Sequence, residues 1–441
     1  MKPRSLGAGL TLAIAALVLT LHGSAQSSAP RDVAVDTAKW LRSVRVTTPF
    51  GIAWPSDPIN PRSVSTSLYG GSPGVVLFLI ELNRATGEAA YLQDAKRGAD
   101  DLMTKVASEP QYGLYDGLAG IAFTLGETWR ATGDEKYRKA ALAAVRTFET
   151  RVTAVGKGVQ WNNVTDVMSG TAGVGLFLLY ADETLKAPTA RALAIRAGDR
   201  LLDLGEPSRG GARWARETTG GARQMPNFSN GTAGIAYFLA TLYKATREQR
   251  FLDAALAGGR YLQAIAKTDG DVCLVPKDQP DTVDVFYLGW CHGPAGTARL
   301  FYQLSVVTND KTWMTWVAKS ANGVLKSGVP QARTTGFWNN VGQCDGNAGI
   351  AQFFLDLYGA TQDRRYLDFA TKMTADLLSR TTSDSRGTRW AHAEDRLKPD
   401  VRSAQTGFMQ GASGIGMWFL HFDGSQRQRA PFVRFPDSPW P

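Results

Sequence analysis

The apolar stretches of this chain are of two kinds, and the two alternate. One kind is apolar nearly all round: Val75 to Leu79, Ile121 to Phe123, Val174 to Leu179, Ile235 to Leu239, Thr297 to Leu304, Ile350 to Leu355 and Ile415 to Phe419. The other is Ala-rich with charge on one side: Ala95 to Met103, Ala140 to Phe148, Ala254 to Ile265 and Tyr366 to Leu378. A helix without a polar face must be buried, and an amphipathic one covers it. Each all-apolar run opens on Gly-x-x-Gly, at Gly71, Gly117, Gly170, Gly231, Gly293, Gly346 and Gly411. One such motif is weak evidence, but seven at comparable spacing are an internal repeat. The pattern predicts seven helical hairpins, each an inner apolar helix followed by an outer amphipathic one.

A second signal recurs between the two helices of a pair. Thr86, Thr132, Thr246, Thr308 and Thr361 each precede a polar turn, with an aromatic residue five positions on in all five cases. A Thr or an acid there can accept the free N–H groups of a starting helix. The third repeat lacks this start, although Leu185 to Leu204 keeps helical spacing. Stacked hairpins form an open solenoid with polar caps or a closed ring. The last repeat is as apolar as the middle ones, which predicts closure: an all-α fold, an α/α toroid of seven helical hairpins. The expected limits are a signal peptide over 1–25, a leader and helix over 26–66, the toroid over 67–425 and a tail over 426–441. The tail is rich in Pro and Arg with no period and reads as an extended strap or a disordered end. The long polar loops Gly205 to Asn230 and Thr381 to Gln410 are the kind that carry function or move.

Charge and cysteine content narrow the function. The net charge of +9 is scattered, with no basic block of the sort that binds nucleic acid. Lys2 and Arg4, the apolar stretch Leu10 to Leu21 and the small residues Gly23-Ser24-Ala25 read as a secretory signal peptide cut after Ala25, with an uncleaved anchor as the alternative. No later segment is long enough to span a bilayer, so the expectation is an exported, periplasmic or extracellular monomer. Three cysteines, Cys273, Cys291 and Cys344, are too few for a disulfide scaffold. Cys273 reads as a small buried hydrophobe.

Equivalent inner helices place the residues before each first glycine at one end of the ring. Those residues are Gly70, Asp116, Ser169, Asn230, His292, Asp345 and Gln410. One step earlier lie Tyr69, Tyr115, Met168, Ser229, Cys291, Cys344 and Met409. Polar groups at helix starts around one axis make a site, to which helix N-termini can present N–H groups. Cys291 and Cys344 fall at the same position of adjacent repeats. With Asp345 or His292 they form a donor set that suits Zn²⁺ with one open position. The same pair can instead form a disulfide in an oxidising compartment, or remain packed thiols. Trp161, Trp214, Trp290, Trp338 and Trp390 lie near the loop ends, to line a cleft or to plug the ring's mouth. His392 reads as a surface-loop residue.

Seven Gly-x-x-Gly hairpins with Trp290-Cys291-His292-Gly293 followed by Cys344-Asp345-Gly346 resemble the lanthionine synthetase C (LanC and LanC-like) family, over about Tyr69 to Phe422. The resemblance implies an α/α toroid with one catalytic zinc that activates a peptide thiol for addition to a dehydroamino acid, giving a thioether. It implies a peptide or small thiol as partner in the central cavity. Zinc lowers the pKa of a bound thiol, and a nearby acid can protonate the resulting enolate. On this resemblance Cys291 and Cys344 are metal ligands, with Asp345 where the family has its third ligand, a His. Asp166 matches the catalytic Asp, Asn230 stands where the family has its catalytic His, and His292, counted with these two among the catalytic candidates, is also the substitute for Asp345 as third metal ligand. Tyr287 stands where bacterial cyclases carry an Arg. Two other classes stay open: a carbohydrate-active toroid using paired carboxylates from among Asp116, Asp166 and Asp345, and a binding protein whose Cys291 and Cys344 form a disulfide.

Overall fold

The computed structural model describes residues 29–221, 224–281, 286–332, 337–338 and 340–441. The signal-peptide reading of residues 1–25 lies outside them. In chain order the helices are α1 (Pro30–Val44), α2 (Ser72–Thr86), α3 (Ala89–Met103), α4 (Leu118–Thr132), α5 (Glu135–Thr150), α6 (Thr171–Glu183), α7 (Ala190–Asp203), α8 (Thr232–Thr246), α9 (Gln249–Ile265), α10 (Pro294–Thr308), α11 (Thr312–Leu325), α12 (Asn347–Thr361), α13 (Arg364–Ser379) and α14 (Ala412–Gln426). The even-numbered helices form an inner ring in which each touches the next, and α14 returns to α2. The odd-numbered helices form the outer layer. The seventh inner helix has no outer helix after it in sequence. That place is taken by α1 from the other end of the chain, packed on α14.

Two-stranded antiparallel hairpins follow several outer helices, for example Thr153–Val155 with Gly158–Gln160 and Glu206–Ser208 with Gly211–Arg213. The apolar pattern of the sequence predicts no strands here. Their signal is a Gly-containing tight turn followed by Trp. Trp54, Trp161, Trp214 and Trp390 each donate from Nε1 to a backbone carbonyl 13 residues earlier, in Leu41, Phe148, Leu201 and Leu377. These four rings are buried and line neither the cavity beside the C-terminal strap nor the one at the N-terminal end of the inner helices, whereas Trp290 lines the first.

The Gly-x-x-Gly motif has a steric cause. Before each inner helix the chain folds back, and a loop carbonyl is set against the glycine Cα. A Cβ on Gly120, Gly173, Gly234, Gly296, Gly349 or Gly414 would collide with the carbonyl oxygen six residues earlier. The same fold-back satisfies the helix start. Leu118 N donates to Gln111 O at 3.0 Å, Thr171 N to Val164 O at 3.0 Å, Asn347 N to Asn340 O at 2.9 Å and Ala412 N to Gln405 O at 2.9 Å. Starting helices leave N–H groups without internal partners, and here loop carbonyls take these ones. The expectation that helix N-termini offer them to a ligand is corrected accordingly. The recurring Thr residues also act differently from expectation. They end inner helices: Thr86, Thr246, Thr308 and Thr361 each donate to the carbonyl four residues back and accept the N–H two residues on.

At the N-terminal end of the inner helices the seven loops are tied in a closed circle of backbone hydrogen bonds. Tyr69 N donates to Tyr115 O, Tyr115 N to Met168 O, Met168 N to Ser229 O and Ser229 N to Cys291 O. Cys291 N donates to Cys344 O, Cys344 N to Met409 O, and Met409 N back to Tyr69 O. These are the residues the repeat alignment placed together, and the circle closes the toroid.

The tail is an ordered strap that runs up the inside of the ring from its other end. Phe432 N and Val433 N both donate to Glu81 Oε2 on α2, at 2.9 and 3.0 Å. The Phe435 ring lies against Phe123 and Phe408, and the Trp440 ring is 4.3 Å from that of Tyr302. Asp437 accepts from Trp290 Nε1 at 2.9 Å and pairs with Arg299 at 3.4 Å. A cavity of about 150 Å³ remains between strap and helices, lined among others by Gln352, Asp356, His421 and Arg434. Burial pushes the Asp356 carboxyl up to about 7. The unfolded chain releases that proton near pH 4, so the folded form loses stability as pH rises from about 4 to 7. Asp356→Asn removes this dependence. We expect its stability relative to the unsubstituted chain to rise across that window and stay level above pH 7, read as denaturation midpoints at pH 4.5, 6 and 8.

Candidate functional site

Above the circle of hydrogen bonds lies a cavity of about 740 Å³. Its floor is made by the residues the sequence placed at one end of the ring, among them Asp116, Asn230, Cys291, His292, Cys344 and Asp345. Cys291 and Cys344, held side by side by the bond from Cys291 N to Cys344 O, are joined as a disulfide with their Cα atoms 5.1 Å apart. Of the alternatives the sequence left open, the disulfide is the one present. Cys273 is buried and free as expected, and burial pushes its thiol up to about 11.

Asp345 is buried next to the pair. One carboxylate oxygen comes to 3.7 Å from Cys344 Sγ, and the other accepts from His292 N at 3.4 Å. Burial pushes its carboxyl up to about 7, against the pull of the His292 N–H and the Lys277 charge. His292 projects from the same loop turn. Burial and then the Lys277 charge push its imidazole down to about 4, so it is neutral at pH 7. Its Nδ1 is buried without a hydrogen-bond partner, and its ring meets Tyr287 edge-on at 5.5 Å.

Asp166 sits one layer back from the cavity and is fully buried. Its carboxylate accepts from Ser169 N at 2.7 Å, Asn230 Nδ2 at 2.7 Å and Arg216 Nε at 3.1 Å. Burial raises its pKa, and these three partners oppose the rise. It reaches the cavity through Asn230 and, by way of Ser169, through Asp116. Asp116 faces the cavity and accepts from the Ser169 hydroxyl; burial raises its carboxyl as well. The structure thus gathers Cys291, His292, Cys344 and Asp345 at one point, sets Asn230 on the wall, and keeps Asp166 as the support of Asn230.

The long loop after α13 forms the opposite wall. Glu394 accepts from the Tyr69 hydroxyl at 3.3 Å and from Gln405 Nε2 at 2.9 Å. His392 is not a surface residue. It is buried, with Nε2 2.7 Å from Gln410 O, and fastens this loop to the floor. Lys277 and Arg396 complete the wall and were not singled out from the sequence. Both lie on irregular segments, where no periodicity marks which side chains face inward.

The family model for lanthionine synthetase C-like proteins matches residues 62–435, and the chain belongs to that family. No curated protein matches it in sequence. Among solved structures it is similar to nisin cyclase, with 16% identity, 92% of this chain and 96% of that chain covered, and a TM-score of 0.65. It is also similar to a D-mannose isomerase (12% identity, 90% and 97% covered, TM-score 0.52). An α-mannanase of Bacteroides thetaiotaomicron gives 11% identity, 90% and 96% covered, and a TM-score of 0.51. At these identities the likeness is one of fold, the α/α toroid.

The zinc expected on the family resemblance can be tested against the donors. Atoms of Cys291, Cys344 and Asp345 lie within 4.8 Å of one another. Zinc is bound by thiolates, and sulfurs joined to each other carry no such charge, so the disulfide form does not fit the metal. Opened to a dithiol, the same residues give two sulfurs and one carboxylate, with the cavity on the open side.

Proposed function

We propose that this chain is an exported LanC-like protein that takes a thiol-bearing peptide or small thiol into the cavity above the ring, with Cys291 and Cys344 as its chemical centre. The observation that carries this reading is the sulfur pair on the cavity floor, with the Asp345 carboxylate in reach and an unpartnered His292 nitrogen beside it. Export is supported by the N-terminal signal pattern and by the disulfide, which persists in oxidising compartments. No helix among the described residues is long and apolar enough to cross a membrane.

In the dithiol state Cys291, Cys344 and Asp345 would hold zinc, which supplies thiolate at neutral pH by lowering the pKa of a bound thiol. Asn230 cannot relay protons as a His does, which leaves His292 as the one neutral imidazole at the sulfur pair, its Nδ1 free to accept a hydrogen bond. The carbohydrate alternative needs two open carboxylates flanking a sugar bond. Asp166 is committed to Ser169, Asn230 and Arg216, which removes it from such a pair and leaves Asp116 and Asp345, of the three candidates, on the cavity.

The test is an inventory of zinc and free thiols on the mature protein from the exported fraction. We expect one accessible thiol after denaturation and no zinc as purified. After reduction we expect three thiols and one zinc per chain, the zinc lost in Cys344→Ser. Reduced protein that takes up no zinc ends the metal part of the reading.

A further inference from the structure

We propose that the Cys291–Cys344 disulfide undergoes thiol–disulfide exchange with a thiol that carries a carboxylate, the carboxylate being held by Lys277 and Arg396. This rests on the reading of the cavity as a thiol site and names the substrate class and the reaction.

Four observations carry it. First, the disulfide is not what holds its two loops together. Cys291 N donates to Cys344 O at 2.9 Å, and the neighbouring bonds of the circle, Ser229 N to Cys291 O and Cys344 N to Met409 O, fix the backbone on both sides. Opening the bond therefore leaves both sulfurs in place. Second, both cysteines line the 740 Å³ cavity, so the bond faces an admitted molecule. Exchange requires such access. Third, His292 lines the same cavity next to Cys291, and its buried Nδ1 has no partner in the protein. That nitrogen is free to accept a hydrogen bond from an incoming molecule.

Fourth, the charges of the wall differ in how they are engaged. The acids already accept hydrogen bonds from the protein: Glu394 from Tyr69 and Gln405, Asp116 from Ser169, Asp395 from Leu397 N and Asp345 from His292 N. Two cations lack a carboxylate. Lys277 stands 5.0 Å over the Tyr287 ring without a carboxylate partner among the described residues. Arg396 Nε is buried without an acceptor, and the side-chain partner of its guanidinium is the neutral Tyr287 hydroxyl. An ammonium and a guanidinium without a carboxylate among the described residues suit one from a ligand.

The reaction balances without an outside oxidant. An incoming thiol loses its proton to water and reacts as the thiolate, and its sulfur bonds to one cysteine sulfur as the Cys291–Cys344 bond breaks. The bonding pair leaves on the other cysteine, which takes up a proton from water. A second thiol then bonds through its sulfur to the sulfur of the first, the bond from the first to the cysteine breaks with its pair leaving on that cysteine, and the second thiol's proton passes to the released cysteine. Two substrate thiols become one disulfide, and the protein disulfide becomes a dithiol.

The experiment treats the full mature protein in its disulfide form with 3-mercaptopropionate or with cysteamine. The two are matched in thiolate concentration, quenched with acid and read by mass spectrometry as mixed disulfide and dithiol. We expect the carboxylate thiol to react about tenfold faster than the ammonium thiol, the advantage shrinking with added salt and vanishing in the double variant Lys277→Gln, Arg396→Gln. Equal rates, or a faster cysteamine, overturn the proposal. A disulfide inert to both thiols also overturns it. If that protein still binds zinc after forced reduction, the thiol-site reading stands. If it binds neither zinc nor thiol, that reading falls too.

Discussion

Asp437→Ala lowers the stability of this protein by about 3–5 kcal/mol, the range for removing one member of a buried ion pair. The substitution is at the far end of the chain, in a tail without periodicity, where a sequence reading would predict almost nothing. Asp437 is 1% exposed, and its partner Arg299, on inner helix α10, is 13% exposed by side chain. The carboxylate also accepts from Trp290 Nε1 at 2.9 Å. Its loss leaves a guanidinium and an indole N–H buried with fewer acceptors, and the cost of those groups outweighs that of the lost contact itself. Asp437→Asn keeps an acceptor and should lose less. Denaturant midpoints of the three proteins at pH 7 check the order. A loss below 1 kcal/mol for Asp437→Ala would mean that the strap lies on the ring without supporting it. Because Trp290 directly precedes Cys291, the same variant should also speed reduction of the Cys291–Cys344 disulfide.

The strap shows where sequence reading stops. The hairpins were legible because their cause is periodic: every repeat buries one helix and covers it with another. The closure was legible too, since the last repeat is as apolar as its neighbours. The strap is held by single events, a carboxylate on α2 meeting two N–H groups, one ring against another, one ion pair. None of these has a period. The place of α1 was hidden for a related reason. Its spacing marks an amphipathic helix, but only the closed ring shows that the uncovered helix is α14.

At the site the sequence located residues better than it assigned states. The alignment of repeats brought Cys291, His292, Cys344 and Asp345 to one point, and the structure has them there. Two cysteines at equivalent positions serve a metal or each other equally well, so pattern alone leaves that choice open. Asp166 and Asn230 were candidates for proton chemistry. The structure joins them by a 2.7 Å hydrogen bond, a contact 64 residues apart in sequence that no local pattern displays. Lys277 and Arg396 carry no signal in the sequence, because a loop cation usually points to water. Whether it instead faces a cavity depends on the neighbouring loops.

Gly296→Ala is expected to cost about 3 kcal/mol or more, the upper part of the range for overpacking a well-filled interior. The added Cβ would fall inside the contact distance of Trp290 O and Phe228 Cβ. One of those is backbone, so no rotamer change relieves the clash, and the loop carrying Trp290, Cys291 and His292 must move. That movement strains the bonds from Ser229 N to Cys291 O and from Cys291 N to Cys344 O. The variant should therefore lose both stability and order in the disulfide, seen as a lower denaturant midpoint and faster reduction. Gly359→Ala is the matched control. It also lies in an inner helix, α12, but a Cβ there meets nothing within 4 Å. Alanine in a helix is favoured over glycine by about 0.5–1 kcal/mol, so this change should stabilise slightly. If both substitutions proved neutral, the glycines would be ordinary helix residues and the fold-back of the loops would not be what the repeated motif specifies.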